Sequence, residues 1–175
     1  MISSHEEAAK KIKMFIFDVD GVLTDGGIYV GDNGELFKPF NVKDGFAITA
    51  WNGEGLKTAI ITGRASKMVA VRAERLGITA VWQGNPDKRK AYAELKEKFS
   101  LTDEQIAYVG DDIVDLPIMK QVGLAFAVAD AAPEAKETAA VVTKCSGGHG
   151  AVREAVEFVL KAQNRWNKIV DRYLK

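Results

Sequence analysis

The sequence predicts an open three-layer α/β domain built on a parallel sheet. Short apolar runs recur along the chain, and amphipathic stretches with helical spacing lie between most of them. In chain order the runs are MFIF, TAIIT, AVW, IAYVG, LAFAV and AVVT. Continuously apolar strands are typical of a parallel sheet buried on both faces, with right-handed crossovers that place helices on both sides. Such sheets bind ligands at the carboxyl ends of their strands, so the residues that follow each run are the candidates for function.

Other elements are predicted between and after these runs. Residues 26–42 alternate around Asn33-Gly34, a strong signal for a β-hairpin that projects from the sheet. One helix is expected between this hairpin and TAIIT. Apolar spacing predicts further helices within residues 66–77, 87–99 and 116–123. The segment SGGHG, which we expect to be flexible, then precedes a long helical pattern in residues 150–175.

Composition limits the classes of partner. At 175 residues the chain has the length of a single domain, residues 1–175. Lys and Arg number 24, as do Asp and Glu, so no global field attracts nucleic acid or an anionic membrane, and we expect neither partner. The single cysteine, Cys145, excludes an internal disulfide and favours a reducing compartment. Without the apolar core of a signal peptide or a run long enough to span a bilayer, the sequence indicates a cytoplasmic protein.

Aspartates follow two of the predicted strands. Asp18 and Asp20 come directly after MFIF, and VGDDIVD supplies Asp111, Asp112 and Asp115 after IAYVG. Carboxylates gathered at one edge of a sheet repel one another unless a cation neutralises them. Hard oxygen ligands beside open space suit Mg²⁺, which retains several waters and commonly bridges to a substrate phosphate. We therefore expect a magnesium site at this edge.

A second group of residues predicts an anion site at the same edge. In ITGRAS, Thr62 offers a hydroxyl and Gly63 allows close approach of the backbone, and the amides that begin the next helix are expected to point at the anion. Lys88 lies at a predicted helix start after Pro86 and Asp87, where a cation is unfavourable for the helix dipole. Its position therefore indicates a functional role.

The motifs DVDGVLTDG, ITGR, Lys88 and GDDIVD, in this order and each after a predicted strand, resemble the four motifs of the haloacid dehalogenase superfamily of phosphohydrolases. The resemblance implies a Rossmann-like fold and a phosphoryl transfer in two steps. Asp18 is expected to attack phosphorus and form an aspartyl-phosphate. Asp20 is expected to protonate the leaving alcohol and later to deprotonate the attacking water. Thr62 and Lys88 are expected to hold the nonbridging oxygens.

The same resemblance implies the residues around the metal ion. Mg²⁺ is expected to be held by the Asp18 side chain, the Asp20 backbone carbonyl and Asp111. Asp112 and Asp115 are expected to support this group, with Asp115 as a partner for Lys88. For Asp112 an alternative remains open, since it can simply cap the helix that follows.

Cap domains are inserted between the first and second motifs or between the second and third. Neither segment is long enough here, so we predict a capless enzyme. Over nearly the whole chain the sequence is similar to the 3-deoxy-D-manno-octulosonate 8-phosphate (KDO 8-phosphate) phosphatases of lipopolysaccharide biosynthesis. That resemblance implies a homotetramer whose hairpins cover neighbouring active sites, a glycine-rich tail that reaches toward a neighbour, and a sugar-acid phosphate as substrate. The residues implied to contact the sugar acid, in addition to Asp20, Thr62, Gly63 and Lys88, are Asn41, Val42, Lys43, Asp44, Gly45, Arg64 and Arg72.

Some readings remain open at this stage. Arg64 favours an eight-carbon acid, because relatives that act on nine-carbon sialic-type phosphates tend to carry an acidic residue there. Thr49 lies where several relatives carry a basic residue, so one substrate contact is expected to be absent. Arg72 is alternatively a surface charge. His149 is interpreted as a mobile loop residue outside the catalytic set, with contact to a neighbouring subunit's substrate as the alternative. Competing functions are a nine-carbon sugar-acid phosphatase, a noncatalytic oligomerisation module and a phosphatase for protein or nucleic-acid ends.

Overall fold

The six apolar runs form one parallel sheet, so the predicted fold class is confirmed. The computed structural model of the protein describes residues 4–175. The strands are β1 (Met14–Phe17), β2 (Tyr29–Gly31), β3 (Gly34–Phe37), β4 (Lys57–Ile61), β5 (Ala80–Trp82), β6 (Ile106–Gly110), β7 (Leu124–Ala127) and β8 (Val141–Val142). The main sheet has the order β5-β4-β1-β6-β7-β8, and each of its neighbouring pairs is parallel.

Helices flank this sheet. They are α1 (Ser4–Lys11), α2 (Val42–Gly53), α3 (Lys67–Arg75), α4 (Lys88–Phe99), α5 (Leu116–Met119), α6 (Pro133–Thr138), α7 (Ala151–Ala162) and α8 (Trp166–Tyr173). α7 packs against α1 and α2, whereas α5 packs against α4 and α6. Within residues 4–175, no helix combines the length and the apolar character that a bilayer crossing requires.

The central position of β1 locates the functional edge of the sheet. All four of its residues are buried, and the Phe15 ring packs edge-on against Trp51 at 4.8 Å between ring centroids. β1 pairs with β4 on one side and β6 on the other, so the chain winds outward through β4 and β5 before returning to β6. The crevice at such a reversal is where open α/β sheets bind ligands. The residues after β1, β4 and β6 therefore border one crevice.

The predicted hairpin is a separate two-stranded antiparallel sheet, β2 and β3, and is shorter than the predicted range 26–42. Gly31 pairs with Gly34, so the two-residue loop is Asp32-Asn33, one position earlier than expected. Gly34 then takes a φ of 105°, a conformation in which a side chain would be strained. Between β3 and α2 the chain is irregular, and Asn41 caps α2.

The predicted helix over residues 150–175 is wrong as a continuous element. α7 ends at Ala162, and Asn164 takes a left-handed φ of 56° that breaks the helix before α8. The break lets Trp166 and Ile169 turn into the core, where both are buried. Burial of these apolar side chains offsets the cost of the interruption.

The prediction of a flexible SGGHG segment is also wrong, because the segment packs tightly against the loop that follows β1 in the same chain. Gly148 donates its backbone N–H to the Val22 carbonyl at 2.9 Å, and Gly147 donates to Asp130 Oδ1 at 2.9 Å. A Cβ at Gly147 would lie 1.7 Å from the Gly21 carbonyl oxygen. The close approach of two backbones therefore requires glycine at position 147.

We predict that Gly147→Ala destabilises the fold, because its methyl group would overlap a backbone carbonyl that no rotamer change can move. The expected loss in free energy of unfolding is about 1–3 kcal/mol, as for other overpacked sites. Urea titration followed by circular dichroism measures it. Gly53→Ala is the matched control: a Cβ at that helical position meets nothing within 4 Å, so stability should rise by about 0.5–1 kcal/mol. Equal midpoints for Gly147→Ala and the unmodified protein would contradict the prediction.

Candidate active site

Asp18, the first residue after β1, is buried at the centre of the crevice. Its backbone N–H donates to the Val109 carbonyl at 3.1 Å, which continues the pairing of β1 with β6 and fixes the start of the loop. Its Oδ1 lies 2.9 Å from Lys88 Nζ. Within residues 4–175, however, no group donates a well-directed hydrogen bond to this buried oxygen. The Lys88 ammonium offsets the charge of this oxygen, and the Asp18 side chain lines the cleft described below.

Lys88 and Asp115 form the buried ion pair predicted from the sequence. Lys88 Nζ donates to Asp115 Oδ1 at 2.6 Å and lies 3.2 Å from the Tyr108 hydroxyl. Tyr108 also donates to Asp115 Oδ1, and the backbone N–H groups of Asp111 and Asp112 donate to Asp115 Oδ2 at 2.9 and 3.2 Å. With four donors, the Asp115 carboxylate is saturated. It holds Lys88 and the loop after β6 in place.

Asp111 completes a group of three carboxylates. One oxygen from each of Asp18, Asp111 and Asp115 lies within 4.8 Å of the others. Burial raises the pKa of Asp111 to about 8, and the charges of Asp115 and Asp18 add to the increase. Burial also raises the pKa of Asp18 to about 6, against the opposing charge of Lys88. Lys88 supplies one positive charge for these three carboxylates, so full ionisation of the group is costly without a further cation.

These residues fit a divalent cation. Asp115 has no free lone pair, so Asp18 and Asp111 are the members of the group that can bind a metal ion. Space for Asp111 depends on Gly21, where a Cβ would lie 2.1 Å from Asp111 Oδ2. Carboxylate oxygens from two strand ends, with an open cleft beside them, are the donor set that Mg²⁺ prefers.

The cleft has a volume of about 300 Å³. It is lined by Asp18, Asp20, Thr62, Gly63, Arg64, Pro86, Lys88, Asp111, Asp112 and Val114. All the residues predicted to act on phosphate thus lie around one opening. Thr62 follows β4 and is buried, and its backbone is fixed by hydrogen bonds to Trp82 and Asn85.

The amides at the start of the helix after Thr62 were expected to point at the anion, but the helix begins too far from the cleft. α3 begins only at Lys67, where Ser66 caps it, and neither residue is among those that line the cleft. A Cβ at Gly63 would come no closer than 3.9 Å to other atoms of the described chain. Gly63 and Arg64 themselves, rather than helix amides, form this side of the cleft.

Asp20 is half-buried, and its partners come from outside the motif loop. The Lys38 ammonium contacts Asp20 Oδ1, and Arg64 Nε lies 3.7 Å from Oδ2. Sequence reasoning missed Lys38, since a lysine beside a hairpin reads as a surface charge. Only the fold brings it to Asp20 and buries it.

Asp112 is exposed, and its side chain accepts a hydrogen bond from the Ile113 backbone at 2.7 Å, which confirms the capping alternative. It also borders the cleft. Thr49 and His149 are exposed and bond locally, to the carbonyls of Phe46 and Gly147.

The predicted substrate loop and Arg72 do not line this cleft. Val42 is 79% exposed and Lys43 is also exposed, so both side chains are available for contacts. Asp44, in contrast, is buried and accepts hydrogen bonds from the backbone of Gly150 at 3.3 Å and Arg153 at 2.7 Å. Its carboxylate caps α7, and no oxygen is directed to the cleft.

Arg72 lies behind the same loop. Its Nη2 donates to the Asn41 carbonyl at 3.4 Å, and a Cβ at Gly45 would lie 2.4 Å from Nη2. Asn41 in turn caps α2 through the Lys43 backbone N–H and donates its side-chain amide to the Gly148 carbonyl at 3.0 Å. Arg72 is half-buried against the loop, so the reading as a free surface charge is wrong.

The chain is similar in sequence to known phosphatases. A family model described as haloacid dehalogenase-like hydrolase matches residues 76–155. The 3-deoxy-D-manno-octulosonate 8-phosphate phosphatase KdsC of Escherichia coli strain K12 is 48% identical over 157 residues, which cover 90% of this chain and 84% of that protein.

Solved structures show the same similarity. A crystal structure of 3-deoxy-D-manno-octulosonate 8-phosphate phosphatase from Yersinia pestis has a TM-score of 0.91 and 47% identity, and covers 93% of this chain and 88% of that chain. The enzyme of that name from Moraxella catarrhalis, in complex with magnesium ion, phosphate ion and KDO, has a TM-score of 0.95 and 38% identity, with 99% of each chain covered.

We predict that affinity for Mg²⁺ rises with pH between about 6 and about 8, the pKa values of Asp18 and Asp111. Both values are raised, so the carboxyls hold protons in the lower part of this range and the cation must displace them. Affinity should fall at least about 10-fold from the top of the range to the bottom. Isothermal titration calorimetry in two buffers of different ionisation enthalpy measures both affinity and proton release.

Asp111→Asn is the control for this measurement. It removes the carboxyl with the higher pKa, so binding should weaken and its pH dependence should flatten. Equal Mg²⁺ affinity at both ends of the range in the unmodified protein would contradict the prediction.

Proposed function

The chain belongs to the KDO 8-phosphate phosphatase family of haloacid dehalogenase-like hydrolases, and on that premise we propose that it hydrolyses KDO 8-phosphate to KDO and phosphate, a step of lipopolysaccharide biosynthesis. One observation carries the chemistry: carboxylates from the ends of β1 and β6 meet beside Thr62 and Lys88 in one cleft. Residues 1–175 act as one domain in this proposal. Because the substrate is an intracellular sugar phosphate, we also place the enzyme in the cytoplasm.

Asp18 is the nucleophile. Its carboxylate, which lines the cleft beside Lys88, attacks phosphorus, and the ester bond between phosphorus and the sugar oxygen breaks. The carboxyl group of Asp20 gives its proton to that oxygen, so the sugar acid leaves as an alcohol. In the second step Asp20 takes a proton from a water molecule, which attacks phosphorus in the aspartyl-phosphate. Inorganic phosphate leaves and the Asp18 carboxylate is restored.

Lys88 and Thr62 hold the transferring phosphoryl group. The Lys88 ammonium is fixed by Asp115 and Tyr108, so it stabilises negative charge with little rearrangement. The Thr62 hydroxyl donates to a second oxygen of the phosphate. Mg²⁺, when bound by Asp18, Asp111 and the backbone carbonyl of Asp20, supplies the positive charge that offsets the remaining charge on the phosphoryl group.

Recognition of the sugar acid involves residues inside and outside the cleft. Arg64 lines the cleft, and its guanidinium can pair with the carboxylate of the substrate. The set Asn41, Val42, Lys43, Asp44, Gly45 and Arg72 lies outside the cleft of the single chain. In our proposal the exposed Val42 and Lys43 reach the sugar acid where a neighbouring subunit extends the site. Asn41, Asp44, Gly45 and Arg72 hold the loop in place.

We predict that KDO 8-phosphate gives the highest kcat/KM in a panel that includes nine-carbon sugar-acid phosphates and hexose phosphates. Arg64, adjacent to the phosphate-binding residues, pairs with the acid carboxylate, which a hexose lacks. Preference over the nine-carbon acids is expected because their phosphatases tend to carry an acidic residue at this position. Phosphate release measured with and without EDTA ranks the substrates and tests the metal requirement. Faster turnover of hexose phosphates would overturn the substrate assignment but leave the chemistry intact.

Asp18→Asn is the catalytic control for this panel. Loss of the nucleophile should lower kcat by at least about 10⁴-fold. Asp171→Asn changes an exposed aspartate in α8 and should leave kcat unchanged. If the unmodified protein shows no metal-dependent turnover and Asp18→Asn does not differ from it, a noncatalytic oligomerisation module is the better description.

We also propose that the enzyme is a homotetramer in which hairpins cover neighbouring active sites. The hairpin exposes apolar side chains that a monomer would leave in water. They are Ile28, Val30, Leu36 and Phe37. Several exposed apolar side chains on one short element are typical of a protein interface.

We predict that Val30→Glu reduces the mass of the assembly in multi-angle light scattering, because it places a charge in the proposed interface. Val30 is 66% exposed in the single chain, so the substitution should not unfold the subunit. Leu174→Glu is the control, since Leu174 is 78% exposed at the other end of the chain and should leave the mass unchanged. A monomeric unmodified protein would refute the tetramer and favour a phosphatase for macromolecular ends.

A further inference from the structure

A buried lysine joins the hairpin to the cleft. Lys38 follows β3, and only 2% of its side chain is exposed. Its ammonium contacts two carboxylates, Asp20 Oδ1 and Glu35 Oε1, the latter at 3.0 Å. Lysine is rarely buried so fully unless it is paired. Because it is buried, the Lys38 ammonium depends on these two carboxylates to offset its charge.

The contact also orients Asp20. Lys38 contacts Oδ1, whereas Oδ2 faces the cleft residue Arg64, whose Nε lies 3.7 Å away. With one oxygen held by Lys38, the carboxyl group is limited in its rotation about χ2. Oδ2 is then the oxygen that faces the open side, where a leaving group would lie.

Glu35 holds Lys38 in turn. Glu35 is part of β3, and its other oxygen, Oε2, accepts a hydrogen bond from the Ser66 hydroxyl at the start of α3. A chain of polar contacts therefore runs from α3 through Glu35 and Lys38 to Asp20. Because every link is a side chain fixed at both ends, the position of β3 determines that of the Asp20 carboxyl group.

We propose that Lys38 is a positioning residue for the reaction, which holds Asp20 so that Oδ2 delivers the proton to the leaving oxygen. The inference rests on the proposed phosphatase function and extends it. In the first step a bond forms between an Asp18 oxygen and phosphorus while the phosphorus–oxygen ester bond breaks, the Oδ2 proton moves to the leaving oxygen, and Asp20 becomes a carboxylate. Lys38 takes no part in the bond changes, and acts only through the orientation of Asp20.

The test is a series of aryl phosphates from p-nitrophenyl phosphate to phenyl phosphate. These substrates are similar in shape, but the p-nitrophenolate ion leaves without a proton, whereas phenolate needs help from an acid. Lys38→Met should lower kcat/KM for phenyl phosphate at least about 10-fold more than for p-nitrophenyl phosphate, since general acid catalysis contributes about 10²–10⁴-fold. Asp20→Asn should show the same pattern with a larger difference.

Controls separate positioning from general damage. Lys38→Arg keeps the charge and should restore most of the lost rate with phenyl phosphate. Lys67→Met changes an exposed lysine at the start of α3 and should leave the whole series unchanged. If Lys38→Met does not fold, Glu35→Gln provides the second test, because a weaker hold on Lys38 should give the same dependence on the leaving group.

The outcomes distinguish the two claims. Equal losses across the series in Lys38→Met, or no loss, with an active unmodified protein, would overturn the role of Lys38 and leave the phosphatase function in place. No turnover of any phosphate ester by the unmodified protein would overturn the function, and the positioning role would fall with it.

Discussion

The architecture of the site depends on one buried cation, the ammonium of Lys88. It lies between Asp18, which follows β1, and Asp115, which follows β6, at 2.9 and 2.6 Å. Loss of one member of such a buried group typically costs about 3–5 kcal/mol, because the others keep uncompensated charge. The same contacts join α4 to the two central strands. In our proposal the Lys88 ammonium stabilises the phosphoryl group. The same ammonium also holds α4 against the ends of β1 and β6.

Close backbone packing constrains the loop that carries Asp18 and Asp20. The loop after β1 leaves room for Asp111 only because residue 21 is glycine, and the Gly147 segment presses on the other side of the same loop. Asp44 then fixes the segment's continuation into α7 by capping its first turn. Distant parts of the chain therefore set the position of the loop that carries Asp18 and Asp20. The hairpin adds a further restraint through Lys38.

Much of the phosphate-binding half of the site was predictable, since its residues follow strands directly. Asp18, Thr62 and Asp111 are each the first residue after a strand, and parallel strands bring such positions to one edge. The loop that we propose for sugar-acid recognition was less predictable. Asp44 looked available from its position in a polar loop, but burial turned its carboxylate to α7. Lys38 carried no motif, and its contact with Asp20 spans 18 positions along the chain.

The sequence by itself determined the strands, the edge at which the acidic residues meet and the family to which their motifs belong, because strand periodicity and motif spacing are local properties of a chain. Tertiary structure decided the break between α7 and α8, the packing of the Gly147 segment and the partners of Asp20. These features depend on which surfaces meet after folding. A buried polar group needs a hydrogen-bond or charge partner, and here that partner comes from a distant part of the chain. Local sequence patterns do not show which residue it is.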